Sequence, residues 1–530
     1  MPDSTASYTL ERSPDGVNWQ LLKVFDSTGT FYDDASPLNP TNYYRLTETS
    51  VNGLTIPHDI AVVTVIPPMG NPPGTIAWAN STHGGISGDF ATVNNVTVDA
   101  QGNSIICGSF RGSIDLGNGV FVNSTGGSTA SDMFVVKYDS SGQYTWSKNI
   151  GSIFNDTANG VATDSQGNVI VVGSFGGTVD FGGISKTAVS GTDIFVAKYP
   201  ASGGNAIWVN SYGTSGVTQN DVANSVACDS FDNVIVGGIL ANSDIDMGGG
   251  NMPAIGGQDV FILKLSAIGT FVWAKRWGGP GGDQLRAIAV DADNNVAIVG
   301  TTFGSSVDLG GGSIPTHGQT DFFIAKYSGV DGSYIWAKLI GSDRNDSGLG
   351  IACDKTAGTT RNRIVVVGGY LGQTGTDALD FGGIVKTTNG GGTAVFVAVY
   401  DPTGLVVWVN SYGGEFGTSD FGTAVTVDAA GNIIATGSIQ SAVDFGGGFR
   451  FGDGSQNYFA VGLSANGDWR WDTRVVGTGG GVGGVSTDLS RNAITTGAFG
   501  GNVNLGTAGN PVTVSTPSGS KSCFVAKYSN

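Results

Sequence analysis

A chain of 530 residues with 88 glycines and only 13% charged residues suits many short strands joined by tight turns, and excludes both a largely helical protein and a disordered one. With 43 acidic against 25 basic residues the formal net charge is -18, so phosphate backbones are repelled and nucleic acid is excluded as a partner. No run of 18 apolar residues occurs and residues 1 to 20 lack the pattern of a secretory signal, so no membrane span is expected and the chain reads as a processed form or one exported by another route.

Taken in chain order, residues 1 to 66 carry expected strands at YTLERS, NWQLLKVF, TNYYRLTET and HDIAVVTV, with a hairpin turn at Asn52 and Gly53. This is a small antiparallel module of the β-sandwich kind. YTLERSPDGVNW followed by NYYRLTETSVNG resembles the later strands of fibronectin type III-like modules that precede sorting domains in Bacteroidetes surface proteins. A complete module of that type has about seven strands in about 100 residues. The resemblance therefore implies missing opening strands and a free sheet edge, open to self-assembly or strand addition through residues 1 to 66. Pro67, Pro68, Pro72 and Pro73 stiffen residues 67 to 74 into an extended spacer.

From residue 75 to 530 a unit of roughly 62 to 72 residues recurs. In its clearest copy GVATD is followed by the turn SQGN, then VIVVGSF, a loop containing VDFGG, DIFVAKY and AIWVNSYG. These four runs, rich in β-branched and aromatic residues and divided by Gly, Asn and Asp turns, predict a four-stranded antiparallel meander. The fourth-strand tryptophan recurs at Trp78, Trp146, Trp208, Trp273, Trp336, Trp408 and Trp471, and the aspartate ending the first strand at Asp99, Asp164, Asp229, Asp291, Asp354, Asp428 and Asp488. Both markers number seven copies. One such sheet cannot bury both apolar faces, so copies must pack face to face, and a ring leaves no end uncovered. The expected fold is all-β, a seven-bladed β-propeller behind the small N-terminal module. Because the first marker is a fourth-strand tryptophan and the chain stops after a third strand, residues 75 to 80 are expected to complete the last blade.

The strings D-x-F-V-x-K-Y, V-D-x-x-G-N and V-x-V-x-G-S-F resemble the SBBP β-propeller repeat of bacterial surface and secreted proteins. That resemblance implies a propeller in an extracellular setting and assigns no activity. Val399 and Gly462 depart from it by replacing the lysine of K-Y, and TAGTTRNR enlarges the turn after Asp354.

An aspartate precedes the innermost strand in six copies, at Asp89, Asp156, Asp221, Asp283, Asp346 and Asp420. Two readings apply: carboxylates at a channel mouth that would take a hard cation such as calcium, or caps for local backbone amides. The V-D-x-x-G-N aspartates read as hairpin formers and the tryptophans as packing between blades. Phe154 and Phe416, aromatic loop residues that do not repeat, are candidates for ligand contact. Cys107, Cys228, Cys353 and Cys523 fall in four different copies and read as free thiols. His58, His83 and His317 are too scattered for a metal cluster, and no nucleophile elbow or phosphate loop occurs.

The expected function is therefore non-catalytic: an adhesin-like head at the cell surface, recognising a surface glycan or a protein receptor, with no resident cofactor. One alternative is a fibre or decoration subunit of a phage tail, injection apparatus or surface filament, docked through its N-terminal module. Another is a propeller hydrolase or lyase acting on polysaccharide.

Overall fold

The computed structural model describes every residue except 1–4, 14–19, 26–40, 51–54, 58–60, 65–73, 85–88, 216–219, 372–377, 389–391, 415–416, 441, 451–455, 479–481, 506–511, 517–519 and 530. Contacts divide the chain into two compact units, Met1–Pro72 and Pro73–Asn530. Among the described residues all regular elements are strands, and no helix is long and apolar enough to cross a membrane.

In the first unit Thr5–Ser13 lies between Gln20–Phe25 and Thr41–Ser50, while Thr55–Pro57 and Ala61–Thr64 pair along the far edge of Thr41–Ser50. All pairs are antiparallel and belong to one sheet. The turn expected at Asn52 and Gly53 lies outside the described residues.

In the second unit each sequence copy becomes an antiparallel meander of four strands. Copy two pairs Thr157–Thr163, Val169–Phe175, Asp193–Tyr199 and Trp208–Tyr212 in order, and copy one does the same from Phe90–Val98 to Tyr144–Ile150. The last copy has Val482–Thr487, Ala493–Asn504 and Lys521–Tyr528, and its fourth strand is Ile76–Ser81, with Lys527 opposite Trp78. Gly74 N–H donates to the Ser529 carbonyl (2.7 Å) and Ser529 N–H to the Thr75 carbonyl (2.9 Å). In copy one the Gly142 N–H donates to Asp139 and the Asp139 N–H to Gln143. The closing junction thus reproduces the hydrogen bonds of the ordinary turn between third and fourth strands, made from two distant stretches of chain.

The second and third strands are buried almost throughout, as expected of strands covered on both faces. The covering comes from the next copy. One apolar cluster joins Cys107, Val135 and Trp146 of copy one to Val171, Phe195 and Tyr199 of copy two. Another sets Ile494, Cys523 and Val525 of the last copy among Ile106, Phe134 and Val136 of the first. The sheets therefore follow one another round a closed circuit, the arrangement of a β-propeller.

Polar ties accompany this packing. In copy one Asp99 accepts from Gln101 N–H and Asn103 N–H (3.0 and 2.9 Å), shaping the first turn. Lys137 reaches the same carboxylate at 2.8 Å. The Lys137 ammonium also donates to the Ala201 carbonyl of copy two (3.1 Å), which accepts the Trp146 indole N–H as well (3.1 Å). Copy two repeats the device with Asp164, Lys198, Trp208 and Ala267 O. Lys527 and Trp78 carry it from the last copy to Ser140 O of the first. The indole lies flat over the next turn's glycine: a Cβ on Gly203, whose φ is +80°, would sit 3.0 Å from the Trp146 ring. Burial alone would raise the Asp164 pKa, but its hydrogen bonds to Lys198 and Asn168 hold it below the usual carboxylate value.

Asp164→Ala leaves Lys198 buried without its partner and should lower stability by about 3–5 kcal/mol. The double variant Asp164→Ala/Lys198→Met removes both charges and should recover a large part of that loss, read from guanidinium unfolding midpoints. Equal midpoints for the single and double variants would contradict the pairing. Deleting residues 521 to 530 removes the partner of both Ala493–Asn504 and Ile76–Ser81, so amide hydrogen exchange should lose protection first in copies one and seven.

Candidate functional site

Each copy is entered by a loop running from the preceding fourth strand to its own first strand, and in the first six copies an aspartate sits at the end of that loop. Asp156 Oδ2 accepts from the Ser152 N–H (2.6 Å) and Oγ (2.9 Å), while Oδ1 accepts from Gly176 N–H at the end of the second strand (2.9 Å). Asp221 binds Thr214 and Ala241 N–H in the same way, all at 2.8 Å. Asp346 holds Ser342 and Leu371 N–H, Asp420 holds Gly414 and Gln440 N–H, and Asp283 holds Gly279 N–H (2.6 Å). Asp89 is buried against Gly112, where an added Cβ would fall 2.0 Å from Oδ1.

The structure sets these carboxylates in the entry loops, outside the lining of the channel. They are buried, and in Asp156, Asp221, Asp346 and Asp420 N–H donors point at both oxygens, where a calcium ion would need open lone pairs. Among the described residues no three His, Cys, Asp or Glu side chains converge to hold a metal ion. The alternative reading, a clamp on local backbone amides, is what the geometry shows.

A second set of buried aspartates starts the third strands. Asp132 Oδ2 accepts from Thr125 N–H (2.9 Å), and Asp193 Oδ2 from Val189 N–H (2.8 Å). Asp259 meets the Arg276 guanidinium at 2.6 Å. Glycine follows on the adjacent strand because the carboxylate occupies the space: a Cβ on Gly213 would lie 2.1 Å from Asp193. Burial first, and the neighbouring Asp132 second among the causes that act the same way, raise the Asp156 pKa to about 6. Burial and Asp321 likewise raise Asp346 to about 6.

The first strands of all the copies line one channel of about 470 Å³. Each of them carries a β-bulge, an extra residue that breaks the pairing register. In copies one to six the register skips Asn94, Asn159, Asn224, Arg286, Leu349 and Thr423, and all six line the channel. Asn94 Nδ2 donates to Ala158 O (2.9 Å), Asn159 Nδ2 to Ala223 O (3.0 Å) and Asn224 Nδ2 to Leu285 O (2.7 Å), linking one first strand to the next. No expectation from sequence named these residues. The available signal was a residue at one fixed place in the first strand, polar in all six of these copies but that of Leu349.

Phe154 is about half exposed (53%), beside Ile153 (68%), and its ring covers Gly176 and Gly177. The loop bearing Val189, also exposed (62%), is bonded to Gly177 through Ala188 N–H. These residues form an apolar surface on the loop side of copy two. Phe416 and His58 lie outside the described residues. His317 Nδ1 stands 3.6 Å from Asp321, on an exposed side chain. All four cysteines are free thiols; Cys107, Cys353 and Cys523 are buried and Cys228 partly so, and burial raises the Cys228, Cys353 and Cys523 pKa values to about 12.

The raised carboxyls fix the sign of the pH response. Asp156 and Asp346 ionise near 6 in the folded chain and near 4 when unfolded, so the folded state holds protons that the unfolded state releases. Their contribution weakens as pH rises from about 4 to about 6 and is constant above. Asp99, Asp164 and Asp229 are shifted downward, and their contribution is lost only as pH falls below the ordinary value. Thermal unfolding should therefore occur at a higher temperature at pH 5 than at pH 7. Asp156→Asn and Asp346→Asn should each flatten that slope, and a wild-type Tm flat or rising across the interval would contradict the assignment.

No protein-family model matches the chain. It is 28% identical, across 39% of its length, to an uncharacterized WD repeat-containing protein of Acanthamoeba polyphaga mimivirus, of which the match spans only 16%. Among solved structures it is similar to a europium-containing methanol dehydrogenase (TM-score 0.36, 10% identity, covering 92% of this chain and 89% of that one). Quinohemoprotein alcohol dehydrogenase from Comamonas testosteroni gives TM-score 0.34 at 12% identity, covering 84% and 76%. A protein of unknown function from Dyadobacter fermentans gives TM-score 0.34 at 10% identity, covering 88% and 100%.

Proposed function

We propose that the copies close into a single seven-bladed β-propeller and that this propeller is a non-catalytic binding head, displayed at a cell or particle surface, that recognises a carbohydrate or a protein receptor. The observation that carries this reading is the difference between the two ends of the strands. At one end nearly every first turn is the same aspartate-capped hairpin, Asp99 to Asn103, Asp164 to Asn168, Asp229 to Asn233. At the other end the entry loops keep only their aspartate clamp and differ in sequence, from SIFN before Asp156 to GPG before Gly282. Divergent loops on a uniform rigid frame are the usual carriers of recognition. Ile153, Phe154 and Val189 supply exposed apolar surface on that face, of the kind that stacks on sugar rings or packs on a protein.

A second reading is supported by the first unit. Its strand Gln20–Phe25 ends the sheet path, pairing on one side with Thr5–Ser13, and such an edge favours docking by strand addition in a filament or particle.

The test is a glycan array and a surface-protein binding screen with the whole chain, scored together with release of reducing ends from polysaccharides. Binding without turnover is expected, and the Ile153→Ser/Phe154→Ser variant should weaken it about tenfold or more at unchanged Tm. Turnover of a polysaccharide, or binding indifferent to those residues, would overturn the reading.

A further inference from the structure

The bulge position of copy four stands apart. Asn94, Asn159 and Asn224 bind the neighbouring first strand through their amides, whereas Arg286, at the same place in its strand, makes no hydrogen bond or ion pair among the described residues. Its side chain is exposed to the channel space, and the crowding of the surrounding walls lowers its pKa. An arginine remains a cation at any working pH, with five N–H donors in a fixed fork. A guanidinium that faces the channel without a counter-charge in the wall is open to an anion from solution.

The rest of the lining sharpens the point. In a chain of formal net charge -18, no aspartate or glutamate among the described residues lines this channel, and the second charged residue of that lining, Lys355, is also a cation. The other residues of the lining are Asn, Thr, Ser, Gly, Cys and aliphatics. The channel, at about 470 Å³, is in the range of small-molecule sites. From this arrangement we propose that the propeller channel is an oxyanion site, in which Arg286 grips the carboxylate, sulfate or phosphate of a small ligand no larger than a sugar acid. Arg286 supplies the paired N–H donors that match two oxygens of such a group. Lys355 adds positive potential along the channel, and the first strands form the neutral wall. The site is independent of the apolar loop surface and stands whether or not that surface binds a receptor.

Titration calorimetry and thermal shift with the full chain provide the test, using inorganic phosphate, sulfate, galacturonate and neutral galactose at ionic strength matched with sodium chloride. At least one oxyanion should bind saturably and raise Tm, while galactose should not. Galacturonate alone would identify a sugar acid, and phosphate or sulfate alone an inorganic or ester group. Arg286→Met should weaken that binding about tenfold or more, the scale of a charge-assisted hydrogen bond, with Arg286→Lys in between. Without ligand, Arg286→Met should unfold no lower than the wild type, because it removes an unpaired charge. Should Arg286→Met fail to fold, Arg286→Gln carries the same comparison. Absence of saturable oxyanion binding in the wild type, or binding unchanged in the Met or Gln variant, would overturn the proposal.

Discussion

The second and third strands of each copy are apolar on both faces. Val171 and Phe195 of copy two belong to the cluster shared with copy one, whereas Ile170, Val172, Ile194 and Val196 belong to the cluster shared with copy three. A lone sheet of this kind would leave one of its faces in water, at about 25 cal/mol per Å² of apolar area. No copy is therefore stable by itself, and the last copy has to meet the first. The remaining features of the second unit are ways of fixing the angle and order in which that face-to-face packing happens.

Two devices do the fixing, and they act at opposite ends of the strands. At the turn end, a single backbone carbonyl of the next copy takes both a lysine and an indole N–H, as Ala201 O does from Lys137 and Trp146. At the loop end, the entry aspartates hold the crossing segment to the second strand. Where the lysine is lost the indole remains: in copy five Val399 leaves Trp408 to bind Ala465 O by itself, and in copy six, with Gly462 in the lysine's place, Trp471 still lies against Gly74 of the closing turn, where an added Cβ would meet it at 3.4 Å. The enlarged turn after Asp354 keeps the turn-to-turn bond of other copies, Asn362 Oδ1 accepting from Ala292 N–H as Asn294 Oδ1 does from Ser230 N–H, and adds Arg361 at 2.6 Å from Asp293. Each departure from the repeat thus keeps a contact between copies.

The meander, the aspartate-capped turns, the packing tryptophans and the pairing of Ile76–Ser81 with the C-terminal strand were legible in the sequence because each depends on local chemistry repeated at a fixed interval. The left-handed turn position shows the rule and its tolerance: Gly102, Gly167 and Gly431 occupy it with positive φ, but so do Asp232, Asn294, Asn362 and Arg491. The direction of the entry aspartates was open, because a residue beside the innermost strand can face the channel or turn back into the loop. That choice rests on where the amides of Ser152 and Gly176 sit, which no single copy reveals. The bulges were hidden for a different reason. An extra residue shifts the alternation by one, so Asn159 or Arg286 reads as an ordinary outward position until the pairing of Ala158 and Gly160 with consecutive residues of the next strand is seen.

The bulge also explains how a packed ring contains a site. Without it, the first strands would alternate strictly, and residues facing the axis would be those that the narrow centre tolerates, small or apolar. One unpaired residue per copy places a side chain toward the axis without disturbing the pairing on either side, since the ladder resumes at Gly160 and Val172 or at Ala287 and Val299. Three copies use that freedom for an amide that joins neighbouring strands, which stiffens the channel wall. Copy four uses it for a guanidinium that joins nothing in the wall. A substitution at this one position therefore changes the charge of the channel at little expense to the surrounding sheets, and the axis joins the entry loops as a place where the repeat is free to differ.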